Sequence, residues 1–119
     1  MLNLSHKNLE VYKVSLLLVK EVYDLTKGFP REEQFALVNQ LRRAVISVCS
    51  NIAEGASRKS KPDRRRFYEI ARSSLVEVDT QIEAALILKY VTNEQIKNIE
   101  SYLESVFKML SKMISNLEV

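Results

Sequence analysis

The chain has 119 residues, a formal net charge of +3, and 46% hydrophobic against 28% charged residues, which fits one domain with a packed core and excludes an intrinsically disordered segment. Two glycines and two prolines in the whole length are too few for the many turns of a sheet protein, so the expectation is all-α, a few long helices joined tightly. The single cysteine forbids an intramolecular disulfide, and with no cleavable leader and no apolar run of membrane length the expected setting is the cytoplasm, without a membrane partner.

The first helix is expected over residues 8–27, with Gly28 placed to end it. Leu9, Tyr12, Leu16, Val19 and Tyr23 share one face, while Val11, Val14, Leu18, Val22 and Leu25 form a second stripe beside it. Two apolar stripes exceed what one neighbour covers, which points to an oligomer. Its interface is expected on the second stripe together with a polar line on the second helix.

That second helix is expected over 31–56, with Pro30 at its start and Glu32 and Glu33 on the positive end of its dipole. Its expected core face is Phe35, Val38, Leu41, Val45, Val48, Ile52 and Ala56. The third helix, 61–90, opens on "SKPD", where Ser60 reads as an N-cap for Asp63, and turns Phe67, Ile70, Ala71, Ser74, Val78, Ile82 and Ala85 inward. "TNEQ" is a capping box for a fourth helix over 93–117, whose Ile96, Ile99, Leu103, Val106, Leu110, Met113 and Leu117 step by 3 and 4 in a heptad seam. Four such helices with short connections make one antiparallel up-down-up-down four-helix bundle spanning 1–119.

Charge is unevenly distributed. Arg42, Arg43, Arg58, Lys59, Lys61, Arg64, Arg65, Arg66 and Arg72 face only Glu54, Asp63 and Glu69 in the same segment, which leaves it at +6 and the remainder of the chain at −3. In an antiparallel bundle the residues from 58 to 66 form one basic end. Clustered Arg and Lys concentrate a polyanion and release its counterions, so these nine residues are the candidate phosphate contacts. Phe67 and Tyr68 beside them offer a stacking surface for unpaired bases. The plainer alternative is a solvated helix start with Phe67 in the core. Against it, cations at a helix N-terminus oppose the dipole, where acids are the better choice.

Catalytic chemistry finds no foothold. Ser47, Asn51, Glu54 and Arg58 make a polar line on the second helix and Ser73, Glu77 and Thr80 another on the third, best read as an interhelical or intersubunit hydrogen-bond network. A carboxylate-bridged metal pair needs Glu-x-x-His pairs, and the one histidine is His6. Cys49 lies in a small apolar run and reads as a buried, inert thiol. No glycine-rich phosphate loop or Ser-His arrangement is present. The expectation is no enzyme, no cofactor and no metal.

Two stretches, "FPREEQFALVNQLRRAVISVCSNIAEGASR" and "FYEIARSSLVEVDTQIEAALIL", resemble the four-helix bundle proteins encoded in intervening sequences of 23S ribosomal RNA genes, to which the accessory variability determinants of diversity-generating retroelements are similar. The shared residues are Phe29, Pro30 and Glu33; Gln40, Arg42, Arg43 and Ala44; Ser50 to Gly55 with Arg58; and Phe67, Ile70, Ala71, Ser74 and Glu77. The pattern often has Trp where Tyr12 stands, Pro or a similar residue near Cys49, and Gly where Ser73 stands, and this chain departs from it there. The resemblance implies a homopentamer around a central channel, which in the retroelement relatives binds a reverse transcriptase and nucleic acid through a positive surface. The expected function is therefore a non-enzymatic oligomer that binds RNA or DNA through its basic residues. The alternative is a scaffold that docks on a nucleic-acid enzyme such as a reverse transcriptase. Ser47, Asn51, Glu54, Gly55, Ser74 and Glu77 are expected to be structural or interface positions.

Overall fold

The computed structural model describes residues 1–118. Four helices account for most of them: α1 (Glu10–Thr26), α2 (Leu37–Ser57), α3 (Lys61–Ile87) and α4 (Lys97–Asn116), with short 3-10 turns at Ser5–Asn8 and Arg31–Glu33 and no strand among the described residues. α1 and α3 each pack against both α2 and α4, so the helices occupy the corners of a square in chain order. Neighbours run antiparallel. Arg42 early in α2 bonds Thr26 at the end of α1, Ser47 and Ser74 meet mid-way along α2 and α3, and Asn98 at the start of α4 donates to Glu21 late in α1.

The core is built from one stripe of each helix. Leu18, Leu41, Val45, Val48, Ile52, Val78, Val106 and Leu110 have no exposed surface, and each fully buried aliphatic side chain of this kind contributes about 1.5–3 kcal/mol. The heptad seam of α4 is observed, with Ile114 filling the position next to half-buried Met113. On α1 the second stripe, Val11, Val14, Leu18 and Val22, is the buried one. This corrects the expected oligomer interface: that stripe is consumed inside the chain, and Ser47 of the polar line on α2 faces α3.

Helix ends differ from expectation in physically instructive ways. α2 begins at Leu37 rather than 31, because Pro30 opens a 3-10 turn, and Phe35 in the following turn is 92% exposed rather than in the core. The Glu33 carboxylate accepts from Leu37 N (3.4 Å) and from the Tyr90 hydroxyl (2.8 Å), tying the α1–α2 connection to the α3–α4 connection. α1 ends without a left-handed glycine. Thr26 Oγ1 instead donates back to the Val22 carbonyl at 2.9 Å while accepting from Arg42 Nε at 2.9 Å.

α3 stops at Ile87, short of 90, in a Schellman motif. Tyr90 N donates to Ala85 O and Lys89 N to Leu86 O, with Lys89 held at φ 63° where glycine is usual. Both expected N-terminal caps are present: Ser60 Oγ accepts from Asp63 N at 3.2 Å, and Thr92 and Gln95 bond each other reciprocally. The second box sits in the turn ahead of α4, which starts at Lys97 rather than 93. No helix among the described residues is long and apolar enough to cross a membrane.

Candidate nucleic-acid interface

The corner between α2 and α3 is a three-residue turn, Arg58 to Ser60. It is tight because Gly55, in the last turn of α2, lets α3 approach. A Cβ at Gly55 would lie 2.7 Å from Cε1 and 2.8 Å from Cδ1 of Tyr68. Tyr68 accordingly fills the core at 4% exposure, Phe67 is half-buried beside it, and Ile70 is turned out at 38%. The expected inward face of α3 holds at Ala71, Ser74, Val78, Ile82 and Ala85 and is corrected in the first turns, where Tyr68 rather than Phe67 or Ile70 is buried, which removes Tyr68 from the expected stacking pair of Phe67 and Tyr68. Burial pushes the Tyr68 phenol upward, partly opposed by the Arg64 charge.

The nine candidate cations divide sharply by what they touch. Arg42 is half-buried: besides Thr26 it reaches the Tyr23 carbonyl at 3.3 Å and lies 4.5 Å over the Tyr23 ring. Arg64 donates to the carbonyls of Arg58 (2.7 Å) and Ala56 (3.5 Å), closing the C-terminus of α2. Arg65 bridges Glu69 (3.2 Å) and Glu118 (3.3 Å), the latter just past the end of α4. Arg72 donates to Ser111 Oγ at 3.2 Å and lies over Phe107. These four are held by the fold.

Arg43, Lys59, Lys61 and Arg66 are exposed and have no carboxylate partner among the described residues. Arg58 is intermediate in this respect, paired with Glu54 at 2.5 Å but on the surface. Lys59, Lys61, Arg66 and Arg58 cluster at the α2–α3 corner. Arg43 lies fifteen residues before Arg58 on α2 and is therefore roughly 22 Å away at the helical rise.

The polar line behaves as a packing device. The Ser47 and Ser74 hydroxyls bond at 2.8 Å, and Asn51 Nδ2 donates to the Ser47 carbonyl (2.8 Å) and hydroxyl (3.0 Å). Ser74, not Ser73, is the partner on α3. Glu77 is exposed and lines a shallow groove with Arg43, Ser47 and Ser74. Cys49 is buried and its thiol donates to the Ile46 carbonyl; burial pushes its pKa up. Among the described residues, no group of three His, Cys, Asp or Glu side chains is placed to hold a metal ion.

The Gly55–Tyr68 contact and the Ser47–Asn51–Ser74 bonds put a physical reason under the segment from Ser47 to Tyr68, and a family profile described as "23S rRNA-intervening sequence protein" matches residues 7–112, nearly the full length. The chain belongs to that family. The 23S rRNA-intervening sequence fold is shared with a crystal structure of a protein of unknown function from the S23 ribosomal protein family of Bacteroides thetaiotaomicron. The two are 25% identical, with a TM-score of 0.80 over 88% of this chain and 95% of that one. No curated protein sequence matches the chain. Family membership thus carries the bundle, while the distribution of free and committed cations is read from this chain alone.

Proposed function

We propose that this intervening-sequence protein is a non-enzymatic oligomer that binds RNA or DNA through phosphate contacts at the α2–α3 corner. The observation that carries the reading is the set of exposed cations there: Lys59, Lys61 and Arg66 have no carboxylate partner among the described residues, and Arg58 stands beside them. Such a cluster attracts a polyanion and releases its counterions on contact. Arg43 adds a fifth exposed cation further along α2. Arg42, Arg64, Arg65 and Arg72, already bonded within the chain, leave the list of principal contacts.

The test is titration of labelled RNA and DNA at several salt concentrations. Four phosphate contacts give a slope of log affinity on log salt of roughly −3 for single strands. A slope near zero overturns the reading, as does a Lys59→Glu/Lys61→Glu variant that binds like the parent. Recovery of one protein partner after nuclease treatment, with no binding to naked nucleic acid, assigns the surface instead to docking on a nucleic-acid enzyme.

Support for the oligomer comes from the flank between α1 and α2. Tyr23, Phe35 and Ile46 line an open groove there beside the polar Gln34, Asn39, Arg42, Arg43 and Ser47, with Phe35 92% and Ile46 39% exposed, and Leu16 on the same side of α1 is 44% exposed. Apolar surface of this kind is what contact with a further copy covers. Light scattering at micromolar concentration checks the ring-like homopentamer implied by the family resemblance, and a monomer mass refutes any oligomer.

A further inference from the structure

The corner that carries the free cations also carries an aromatic ring beneath two guanidinium groups. The Arg58 guanidinium carbon lies 4.9 Å, and that of Arg66 5.3 Å, from the centroid of Phe67. Phe67 is half-buried against the last turn of α2, where a Cβ on Gly55 would stand 3.1 Å from the Phe67 Cβ. A guanidinium over a ring is attracted by the ring's negative face, and being planar and weakly hydrated it is itself suited to stacking.

Two other arginines lie over rings, Arg42 on Tyr23 and Arg72 on Phe107, but their N–H groups are engaged by Thr26, the Tyr23 carbonyl and Ser111. At Phe67 the situation differs. Arg66 has no carboxylate partner among the described residues, Arg58 has only the exposed Glu54 carboxylate, and Lys59 in the turn and Lys61 at the start of α3 stand exposed beside them. Ammonium point charges serve the phosphates of any strand. Stacking planes add affinity only where bases are unpaired, because duplex bases already cover one another's faces.

Resting on the nucleic-acid reading above, we infer that Arg58, Phe67 and Arg66 form a platform for an unpaired base, with Lys59 and Lys61 on the adjoining phosphates. The ligand class is single-stranded nucleic acid rather than duplex. Glu54 has a part in this: it competes with phosphate for Arg58, so its carboxylate sets how much of that guanidinium a ligand can claim.

The experiment is fluorescence anisotropy on the full chain with a labelled single strand, RNA and DNA in separate arms, and with the duplex of equal length. The single strand is expected to bind about tenfold more tightly than the duplex at the same salt, the size of one base stacked on an aromatic platform. Arg66→Lys keeps the charge and removes the plane. It is expected to lose most of that preference while duplex binding and the salt slope stay as they were, and Phe67→Leu should do the same. Because Arg66 is exposed, its variant keeps the test valid even if Phe67→Leu folds poorly. Equal affinity for strand and duplex, or an Arg66→Lys protein with unchanged single-strand affinity, overturns the platform and leaves phosphate binding standing. Absence of salt-dependent binding to either form overturns the underlying reading as well.

Discussion

Gly55 and Tyr68 face each other across the α2–α3 corner at a separation that leaves no room for a methyl group: a Cβ on the glycine would stand 2.7 Å from the tyrosine ring. In an isolated helix Gly55→Ala gains about 1 kcal/mol from propensity. Here the ring is 4% exposed and cannot swing away freely, so overpacking at about 1–3 kcal/mol wins. Gly55→Ala is expected to lower stability in denaturant melts, and Gly55→Ala combined with Tyr68→Leu to recover part of the loss. Additive losses in that double-mutant cycle count against the contact.

Arg42 and Arg43 are adjacent in sequence and opposite in consequence. Arg42→Ala removes hydrogen bonds to Thr26 and Tyr23 and the packing on the Tyr23 ring, at about 1–3 kcal/mol for a charged donor. Arg43→Ala touches nothing comparable and should leave the melting curve within about 0.5 kcal/mol of the parent. Paired thermal melts of the two variants decide the matter, and equal destabilisation contradicts the assignment.

Lys89 adopts a left-handed backbone, φ 63°, at the end of α3. A side chain with a Cβ is strained there by about 1 kcal/mol relative to glycine. Lys89→Gly is therefore expected to stabilise the protein by several tenths to about 1 kcal/mol, an unusual direction for a glycine substitution. A lower midpoint in urea would show that the Schellman bonds around Tyr90 depend on the lysine.

Burial holds the Cys49 thiol above its ordinary range. The unfolded chain then loses its thiol proton first as pH rises past about 8.5, binding fewer protons than the native state, so the Cys49 contribution to stability falls with pH above that point. Below it the thiol is neutral in both states and contributes no pH dependence. Reaction with a thiol reagent at pH 8 is expected to be at least about tenfold slower in the native protein than in denaturant. Comparable rates in the two conditions would place the sulfur at the surface.

The heptad seam of α4 and the caps at Ser60 and Thr92 were legible in the sequence because periodicity and capping are local, set within four residues. The fate of the arginines was not, because their partners lie 16, 39 and 53 residues away at Thr26, Ser111 and Glu118. The choice between Phe67 and Tyr68 as the buried ring was equally hidden, since it turns on Gly55 in another helix. The apparent conflict of a basic run with the dipole of α3 arose from weighing one helix alone. In the bundle Arg64 serves the C-terminal carbonyls of α2 and Arg65 a carboxylate just past the end of α4, so negative helix ends surround the positive one. Phe35 misled for a simpler reason: its spacing fits the core face of α2, but the helix has not yet begun there.

The three residues that join α2 to α3 leave the corner little conformational freedom to surrender. Arg58 begins the turn in an extended backbone, Ser60 ends it as a cap, and Arg64 bonds back across it. A nucleic acid bound there as proposed would meet a surface already in shape and forgo the ordering entropy that a flexible basic tail would lose. Speed of capture would then be governed by long-range attraction, rising as ionic strength falls, with no slow rearrangement after encounter.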